Sequence, residues 1–338
     1  MGPKQKVVVT GGAGFIGSEL VRQLAHQDLQ VLVIDNLING RRENLEGLPH
    51  CVDLVVADIR DRKGLAGLLE GTRVLFHLAC LGVRHSIHSP LENHEVNATA
   101  TLHLLEEAKK ADVGRFVYVS SSEVYGTARW VPMTEDHPTF PMTVYGASKL
   151  AGECYTRAYH MTYGYPTVVV RPFNAFGPRC HHEGDSGEVI PKFMLHGLAG
   201  RPMVIFGDGS QTRDFTFVSD TAAGILAAGQ SDAAVGQTFN LGNGREIAIN
   251  DLAQAVTAVV GRSDCQLLHD NPRPGDVLRL YADTSKARSL LGFQPTISLP
   301  EGLGRLKAWY KSLGRSPQDL LAQEVVHNWE FPQSKRVA

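Results

Sequence analysis

A short apolar strand that runs into a glycine-rich turn and a helix is the feature that most constrains this chain. Residues 6–10 read Lys-Val-Val-Val-Thr, and residues 11–17 read Gly-Gly-Ala-Gly-Phe-Ile-Gly before a helical stretch. Glycines in this context let backbone amides approach a pyrophosphate at a helix N-terminus, where the helix dipole favours negative charge. We therefore predict a dinucleotide-binding turn. Its predicted contact residues are Gly11, Gly14, Phe15, Ile16 and Gly17.

The second predicted strand, residues 30–34, ends in Asp35 and Asn36. An acidic side chain at that point can accept hydrogen bonds from both ribose hydroxyls and repels a 2′-phosphate, so it favours NAD over NADP. Arg41 and Arg42 follow closely and keep NADP open as the alternative. Asn36 is also a predicted cofactor contact. Further cofactor contacts are expected at the ends of the next two strands, at Asp58, Ile59, Leu78 and Ala79.

Strands and helices alternate along the first half of the chain. Strands are predicted at 52–57, 73–78 and 114–120, with helical segments at 61–70 and 90–111 between them. Such alternation predicts a parallel sheet with right-handed crossovers. The predicted fold class is α/β, with a doubly wound, Rossmann-type parallel sheet and a smaller, mixed α/β C-terminal substrate lobe.

The length of 338 residues is sufficient for two lobes with separate cores. We predict an NAD-binding domain at residues 1–171, joined by about 213–240. The substrate-binding lobe is expected at 172–212 and 241–330, followed by a tail at 331–338.

A second group of chemically reactive residues follows the predicted strand at 114–120. Three serines and a carboxylate occupy 120–123, while Tyr145 and Lys149 lie four apart on a predicted helix at 144–163. Residues four apart share one helix face, although such a pair on an exposed face is usually just solvated. Downstream of a dinucleotide-binding turn, the pattern predicts a reactive cluster at the carboxyl end of the sheet, where ligands bind.

Composition excludes several classes of function. A net charge of −2 gives no electrostatic footprint for nucleic acid or an anionic membrane, and no apolar run approaches the length of a membrane span. Five scattered cysteines without a Cys-x-x-Cys pair are typical of reduced thiols in a cytoplasmic protein. The residues at 180–183 (Cys-His-His-Glu) are adjacent and cannot readily share one tetrahedral site, so no metal is expected.

Several motifs occur in a fixed order between residue 6 and about residue 310. Together they resemble the extended short-chain dehydrogenase/reductases, and more narrowly their nucleotide-sugar epimerase and dehydratase branch. The motifs are Thr10-Gly-Gly-Ala-Gly-Phe-Ile-Gly17, Asp58-Ile-Arg60, Ser121-Ser-Glu-Val-Tyr-Gly126, Tyr145-Gly-Ala-Ser-Lys149, Arg171-Pro-Phe-Asn-Ala-Phe-Gly-Pro-Arg179, Gly207-Asp-Gly-Ser-Gln-Thr-Arg-Asp-Phe215 and Arg273-Pro-Gly-Asp276.

The resemblance implies roles for the reactive cluster. In that family a tightly held NAD⁺ oxidises the hexose hydroxyl at carbon 4. Tyr145 is then expected to take the hydroxyl proton with the help of Ser121, while Lys149 binds the nicotinamide ribose and lowers the pKa of Tyr145. A free phenol has a pKa near 10, so nearby positive charge would make it a better base.

The resemblance also implies substrate contacts. Asn174 falls where the family binds the diphosphate, and Arg213 and Arg273 fall where arginines clamp it, with Arg279 assisting. For each arginine the alternative is a surface ion pair. Arg84 and Arg179 lie in stretches similar to UDP-glucuronate 4-epimerases, where a cation near the sugar suits a carboxylate. A structural role is the equal alternative for Arg84.

Glu123 is the residue that bears on the reaction type. Family dehydratases and UDP-glucuronate decarboxylases carry Glu there, whereas simple 4-epimerases usually carry a small or neutral residue. Ser122, a predicted substrate contact, replaces the Asp of many dTDP-glucose dehydratases, which leaves protonation of the leaving group to Glu123. If Ser121 and Glu123 lie on an extended strand end, both face one side.

We therefore expect lyase chemistry at carbon 5 or 6, with a 4-epimerase as the alternative. On a uronate substrate, decarboxylation of the 4-ketone competes with epimerisation. Two other readings stay open: Glu123 as a loop acceptor without chemistry, and a non-catalytic dinucleotide sensor.

A homodimer is expected, built on helices near 90–111 and 144–164. Both segments carry apolar residues at helical spacing, and the family pairs them into a four-helix bundle. The same stripes could instead be buried against the sheet of one subunit. The apolar positions are Leu102, Leu105, Ala108, Leu150, Cys154 and Ala158.

Overall fold

The computed structural model describes residues 5–184, 186–262, 264–273 and 276–329. The predicted tail at 331–338 therefore lies outside the described residues. Across the described part of the chain, no helix is both long enough and apolar enough to cross a membrane.

Seven strands form one parallel sheet, in the order β11-β6-β5-β4-β1-β2-β3. The strands of the chain are β1 Gln5–Thr10, β2 Leu29–Asp35, β3 Val52–Val56, β4 Thr72–His77, β5 Phe116–Val119, β6 Thr167–Pro172, β7 Asn174–Phe176, β8 Met203–Phe206, β9 Thr212–Arg213, β10 Phe215–Phe217, β11 Thr238–Leu241, β12 Ile247–Ala248, β13 Leu267–Asp270 and β14 Arg279–Leu280. The strand order reverses direction at β1, so the predicted doubly wound sheet is confirmed.

The helices cover both faces of this sheet and build the second lobe. They are α1 Phe15–Ala25, α2 Arg62–Leu69, α3 His85–His88, α4 Pro90–His94, α5 Ala100–Lys110, α6 Val144–Tyr163, α7 Val189–Ala199, α8 Val218–Gln230, α9 Ile249–Val260, α10 Ser285–Leu291, α11 Leu299–Ser312 and α12 Pro317–Leu320, with a π-helical turn at Glu95–Thr99 and 3₁₀ turns at Arg42–Leu45, Ser122–Val124, Asp232–Ala234 and Leu321–Gln323.

The central strands are apolar on both faces, because each face is covered by helices. Val7 of β1 packs with Leu20 of α1 and Ile225 of α8 on one side. Its neighbour Val8 packs with Leu104 of α5 on the other side. This alternation follows from the two-residue period of a strand, and it explains the continuous apolar runs in the sequence.

The predicted helix at 90–111 is interrupted, unlike the continuous segment expected from its pattern. A π-helical turn separates α4 from α5, and Asn97 lies within it. The Asn97 side chain accepts a hydrogen bond from Leu81 N at 2.8 Å and donates to Leu81 O at 2.9 Å. Single π-helical turns of this kind occur frequently at functional sites, and this one fixes the loop that follows β4.

The second lobe has its own core and three small sheets of mixed direction, as predicted. Phe193 of α7, Val256 of α9 and Leu306 of α11 meet in that core. Ala287 and Phe293 pack instead with the core of the large sheet, although they fall in the range 241–330 predicted for the lobe. The structure therefore differs from the predicted boundary where α10 returns to the sheet.

A buried ion pair joins the sheet to α6. Arg171 of β6 donates to both carboxylate oxygens of Glu153, at 2.9 and 2.7 Å, and both side chains are buried. Arg171 also donates to the Tyr125 hydroxyl at 2.7 Å, which donates in turn to Asn240 Oδ1 at 2.6 Å. The network thus connects β6, α6, β11 and the loop that follows β5.

We expect Arg171→Met to reduce the free energy of unfolding by about 3 kcal/mol, because it leaves the buried Glu153 carboxylate without its bidentate partner. Arg157→Met is the matched control, since Arg157 contacts the same carboxylate from a half-exposed position, where ion pairs contribute about 0–1 kcal/mol. Urea denaturation of the two variants beside wild type measures the difference. Equal losses in both variants would contradict the assignment.

Candidate active site

A cleft of about 560 Å³ lies between the carboxyl ends of the sheet strands and the second lobe. It brings together most residues predicted from the sequence. The cleft is lined by Gly11, Gly14, Phe15, Ile16, Gly17, Asp35, Asn36, Ile59, Leu78, Ala79, Arg84, Ser121, Ser122, Glu123, Tyr145, Lys149, Asn174, Arg213 and Arg273.

The backbone of the glycine turn is packed too closely against the protein for side chains at its glycines. Without side chains, its backbone lines the cleft directly, where a dinucleotide can approach it. Gly11 has a φ of +71°, and a Cβ built on it would lie 2.6 Å from Ala79 N. A Cβ on Gly17 would lie 2.1 Å from Gly11 O. Helix α1 begins at Phe15, and its N-cap residue Gly14 offers no capping side chain. The first-turn amides therefore face the cleft, where an anionic group can approach them.

Asp35 stands at the end of β2 with its carboxylate in the cleft. It accepts hydrogen bonds from Ala13 N at 3.0 Å and Leu37 N at 2.8 Å, and burial raises its pKa. Arg41 and Arg42 are the residues that kept NADP open. Arg41 pairs with Glu183, and neither arginine lines the cleft. The end of β2 therefore offers the Asp35 carboxylate to a ribose, while the Arg41 guanidinium is already paired with Glu183.

Asp58 differs from its prediction as a direct contact. Its carboxylate lies beside the cleft lining rather than in it, and it accepts from Asn36 Nδ2 at 3.0 Å. The Arg60 guanidinium holds the pKa of Asp58 well below its usual range. Asp58 therefore orients Asn36, while its neighbour Ile59 lines the cleft.

The reactive cluster forms where β5 ends and α6 begins. The Ser121 hydroxyl lies close enough to the Tyr145 phenol to favour a lower pKa, but burial is the larger effect and raises the pKa of Tyr145. Lys149 is fully buried, and its ammonium donates to Val119 O at 2.6 Å. Burial lowers the pKa of Lys149. Desolvation is the largest effect on both groups, so burial shifts each of them toward its uncharged form.

Glu123 does not lie on an extended strand end, so the conformation assumed in the sequence-based argument is wrong. The chain turns into a 3₁₀ helix at 122–124 because Ser121 Oγ accepts a hydrogen bond from Glu123 N at 3.2 Å. The turn nevertheless directs both side chains into the cleft. Burial raises the pKa of the Glu123 carboxyl, and the charges of Arg213, Arg273 and Arg84 oppose that rise.

Arg213 and Arg273 converge although they come from different parts of the lobe. Both donate to Oδ1 of Asp276, at 2.5 and 2.7 Å. Arg213 donates further to Val277 O at 2.6 Å. Asn174 lies beside them, with its side-chain amide 3.4 Å from Asp214 O. The two guanidiniums thus form one cationic surface on the cleft wall that faces Glu123.

Two predicted substrate contacts lie elsewhere. Arg179 donates to Ser18 Oγ at 3.0 Å and pairs with Glu19, so it fastens the lobe to α1. Arg279 pairs with Glu246 at the surface, with 52% of its side chain exposed. Neither residue lines the cleft. Both form ion pairs, which for Arg279 is the alternative that the sequence left open.

The lobe contributes cleft residues that the sequence reasoning missed. Glu188 precedes α7, and burial raises the pKa of its carboxyl, while His181 and Arg84 oppose the rise. Burial lowers the pKa of Lys192 to about 8. Glu188 and Lys192 are four apart at the start of one helix, a spacing that could have marked a common face. Phe206 and Trp329 also line the cleft.

The run at 180–183 packs against the lobe. Cys180 is buried, and burial raises the pKa of its thiol. Glu183 accepts a hydrogen bond from His182 N at 2.9 Å. Within the described ranges, no three His, Cys, Asp or Glu side chains are grouped so as to hold a metal ion.

Known proteins resemble this chain over most of its length. The sequence family described as GDP-mannose 4,6 dehydratase matches residues 8–306. UDP-glucose 4-epimerase from Mycolicibacterium smegmatis is 39% identical over 313 residues, covering 91% of this chain and 99% of the relative. UDP-glucuronic acid decarboxylase 1 from Arabidopsis thaliana is 35% identical, covering 91% of this chain and 70% of the relative.

A solved structure of a similar enzyme has the same fold as this chain. The dTDP-glucose 4,6-dehydratase from Streptomyces venezuelae, crystallised with NAD, superposes with a TM-score of 0.85 at 33% identity. The match covers 91% of this chain and 97% of that one. The similar proteins therefore share one fold and include three different reactions.

We expect the purified protein to retain NAD and to bind it more tightly than NADP, because Asp35 repels a 2′-phosphate. Asp35→Ser should shift that preference toward NADP by about ten-fold or more, as loss of hydrogen bonds to a charged group implies. Chromatography of the dinucleotide released by denaturation, with titration of both cofactors, measures the preference. Arg41→Ala is the control and should leave it unchanged, and tighter NADP binding by wild type would overturn the argument.

Proposed function

Because the chain belongs to the nucleotide-sugar epimerase and dehydratase branch of the extended short-chain dehydrogenase/reductases, we propose that it is an NAD-dependent lyase acting on a UDP-linked hexose or hexuronate. NAD, when bound, supplies reversible oxidation of the sugar at carbon 4. The glycine turn and Asp35 are the groups that hold it, in keeping with their close-packed backbone and cleft-facing carboxylate.

The chain's own residues divide the remaining work. Tyr145, which has the Ser121 hydroxyl beside it, is the group that takes the proton of the carbon 4 hydroxyl. Lys149, buried below it, orients the bound nicotinamide ribose. Arg213 and Arg273 bind the diphosphate, which suits two guanidiniums that already share an anionic partner.

The observation that carries the lyase assignment is the environment of Glu123. Its carboxyl is half-buried in the cleft, and its charge interacts with that of Tyr145. Burial raises the pKa of Glu123. Part of the Glu123 population therefore stays protonated at a higher pH than it would if the carboxyl were in water. Such a group can remove the acidified proton at carbon 5 of a 4-keto sugar and protonate a leaving hydroxyl at carbon 6.

A 4-epimerase is the second candidate. It is favoured by the 39% identity to a UDP-glucose 4-epimerase, which exceeds the 35% identity to the decarboxylase. Arg84, which lines the cleft, provides a cation for a uronate carboxylate in either reaction. In the epimerase alternative, Glu123 contacts the sugar without exchanging a carbon-bound proton.

Glu123→Gln should stall turnover after oxidation at carbon 4, because it keeps the size and hydrogen bonding of the side chain but removes the acid-base group. Reduced cofactor should then accumulate with substrate, seen in its ultraviolet absorbance. Tyr145→Phe is the contrasting variant: it should lose more than about a hundred-fold in rate without accumulating reduced cofactor, because the earlier proton transfer is blocked.

Wild-type turnover in deuterated water separates the two candidates, with products identified by mass spectrometry from a panel of nucleotide sugars. A dehydratase incorporates deuterium at carbon 6, a decarboxylase incorporates it at carbon 5, and a 4-epimerase incorporates none at carbon. Absence of carbon-bound deuterium, together with near wild-type conversion by Glu123→Gln, would falsify the lyase assignment and favour the epimerase.

We further propose a homodimer formed through the outer face of α6. Two residues of the predicted stripe, Leu105 and Ala108, are fully buried within the subunit and cannot form the interface. The outer face of α6 instead carries Cys154 and Met161, and the Met161 side chain is 82% exposed. An apolar face of this kind on a helix is a natural surface for a second copy.

Met161→Glu should convert the dimer to a monomer, because it introduces a charge at the centre of the apolar face. Light scattering at micromolar concentration measures the change. Leu290→Glu, a partly exposed leucine on α10, is the control and should remain dimeric. A monomeric wild-type protein at that concentration would defeat the proposal.

A further inference from the structure

The chain returns to the cleft after its last helix. The match to the GDP-mannose 4,6 dehydratase family ends at residue 306, so α12 and everything beyond it lie outside that match. A 3₁₀ turn at 321–323 follows α12, and residues 324–329, here called the C-terminal strap, then run along the second lobe. The strap is therefore a feature of this chain that the family match does not cover.

The first half of the strap is fastened to α7. The Glu324 carboxylate contacts His196 Nε2 at 2.8 and 2.9 Å, and His196 is itself held by Pro202 O. Lys192 Nζ donates to Val325 O at 2.6 Å. Both partners lie on α7, which lines the cleft, so the strap is fixed relative to the cleft wall.

The second half of the strap is fastened to two other elements. His327 Nε2 contacts Asp270 Oδ2 at 2.8 Å at the end of β13. Asn328 is buried and donates to Gly187 O at 3.1 Å, in the segment before α7. Contacts with α7, β13 and the segment before α7 therefore fix the path of the strap along the lobe.

The strap ends by bringing an aromatic ring to the cleft. Trp329 packs edge to face against Phe206 of β8, with ring centroids 4.6 Å apart and planes at 88°. Both rings line the cleft. His327 is the third ring of this cluster, with its centroid 5.9 Å from that of Phe206 and 5.3 Å from that of Trp329. The surfaces of Phe206 and Trp329 that line the cleft remain available to a flat group of a ligand, which would add binding energy by stacking.

The position of this aromatic pair relative to the arginines follows from two neighbouring strands. Phe206 lies opposite Asp270 where β8 and β13 end side by side, and Arg213 and Arg273 follow these strand ends in the chain. The two arginines and the aromatic pair therefore line the same cleft next to the ends of β8 and β13. A ligand whose sugar is at Glu123 and whose diphosphate is at Arg213 and Arg273 extends its remaining group toward the strap.

We infer that the C-terminal strap completes the substrate site, with Trp329 and Phe206 forming the aromatic surface that receives the nucleobase of the nucleotide sugar. This inference rests on the proposed function. It makes Trp329 a residue that determines substrate affinity, contributed by a segment that the family match does not cover.

Calorimetric titration of the NAD-containing protein with UDP tests the inference. Trp329→Ala should raise the Kd for UDP by about ten-fold, the effect expected for loss of one base–aromatic contact. Trp329→Phe should retain most of the affinity. Trp130→Ala is the matched control and should change nothing, because Trp130 is half-exposed and does not line the cleft.

Inorganic pyrophosphate is the second probe, because it carries the diphosphate without a base. Its Kd should be the same in wild type and Trp329→Ala. An equal weakening of UDP and pyrophosphate would overturn the inference, since it would mean that the strap supports the arginines and not the base. An unchanged Kd for UDP in Trp329→Ala would overturn it as well.

A fluorescence measurement keeps the test decisive if Trp329→Ala loses its fold or its NAD. In a protein carrying Trp130→Phe and Trp309→Phe, Trp329 is the remaining tryptophan of the three in the sequence. UDP should change its emission and pyrophosphate should not. A wild-type protein that binds neither UDP nor dTDP would instead contradict the proposed function itself.

Discussion

The buried ion pair between Arg171 and Glu153 is the interaction on which the arrangement of the reactive groups depends. Glu153 lies one turn beyond Lys149 on α6, so the ion pair holds α6 against β6. Two charges removed from water are stable only with bidentate geometry and further hydrogen bonds. Arg171 donates one such hydrogen bond to Tyr125, two residues after Glu123. One buried cation therefore positions both the helix that carries Tyr145 and Lys149 and the turn that carries Glu123.

Desolvation governs the ionisation of the groups beneath the cleft. His77 is buried between the hydroxyls of Thr10 and Thr101, at 2.7 and 2.8 Å, and burial lowers its pKa to about 3. A neutral imidazole does not repel the ammonium of Lys149 nearby. Burial also raises the pKa of Tyr145 and lowers that of Lys149, so both shift toward uncharged forms. The spacing of Tyr145 and Lys149 indicated proximity correctly, but it carries no information on desolvation.

The sequence predicted what local pattern determines, namely the glycine turn, the parallel sheet, the family and its cofactor. It was wrong where a single hydrogen bond or a distant partner decides the outcome. Ser121 Oγ accepts a hydrogen bond that starts the 3₁₀ turn at 122–124, and the spacing of apolar residues does not predict this turn. Arg179 and Arg279 pair with the carboxylates of Glu19 and Glu246, which are remote in sequence, so the motifs gave no sign of these ion pairs.

The paired guanidiniums connect substrate binding to the acid-base group. Arg213 and Arg273 share one oxygen of Asp276, and both oppose the rise in the pKa of Glu123. On the proposed function, a diphosphate offers them more acceptor oxygens than one carboxylate and neutralises their charge. Neutralised arginines stabilise the ionised Glu123 less, so its pKa rises further when substrate binds. Binding of the nucleotide would thereby make the Glu123 carboxylate a stronger base toward the carbon 5 proton and keep that proton on Glu123 until a leaving hydroxyl takes it, a coupling that follows from geometry rather than from either motif alone.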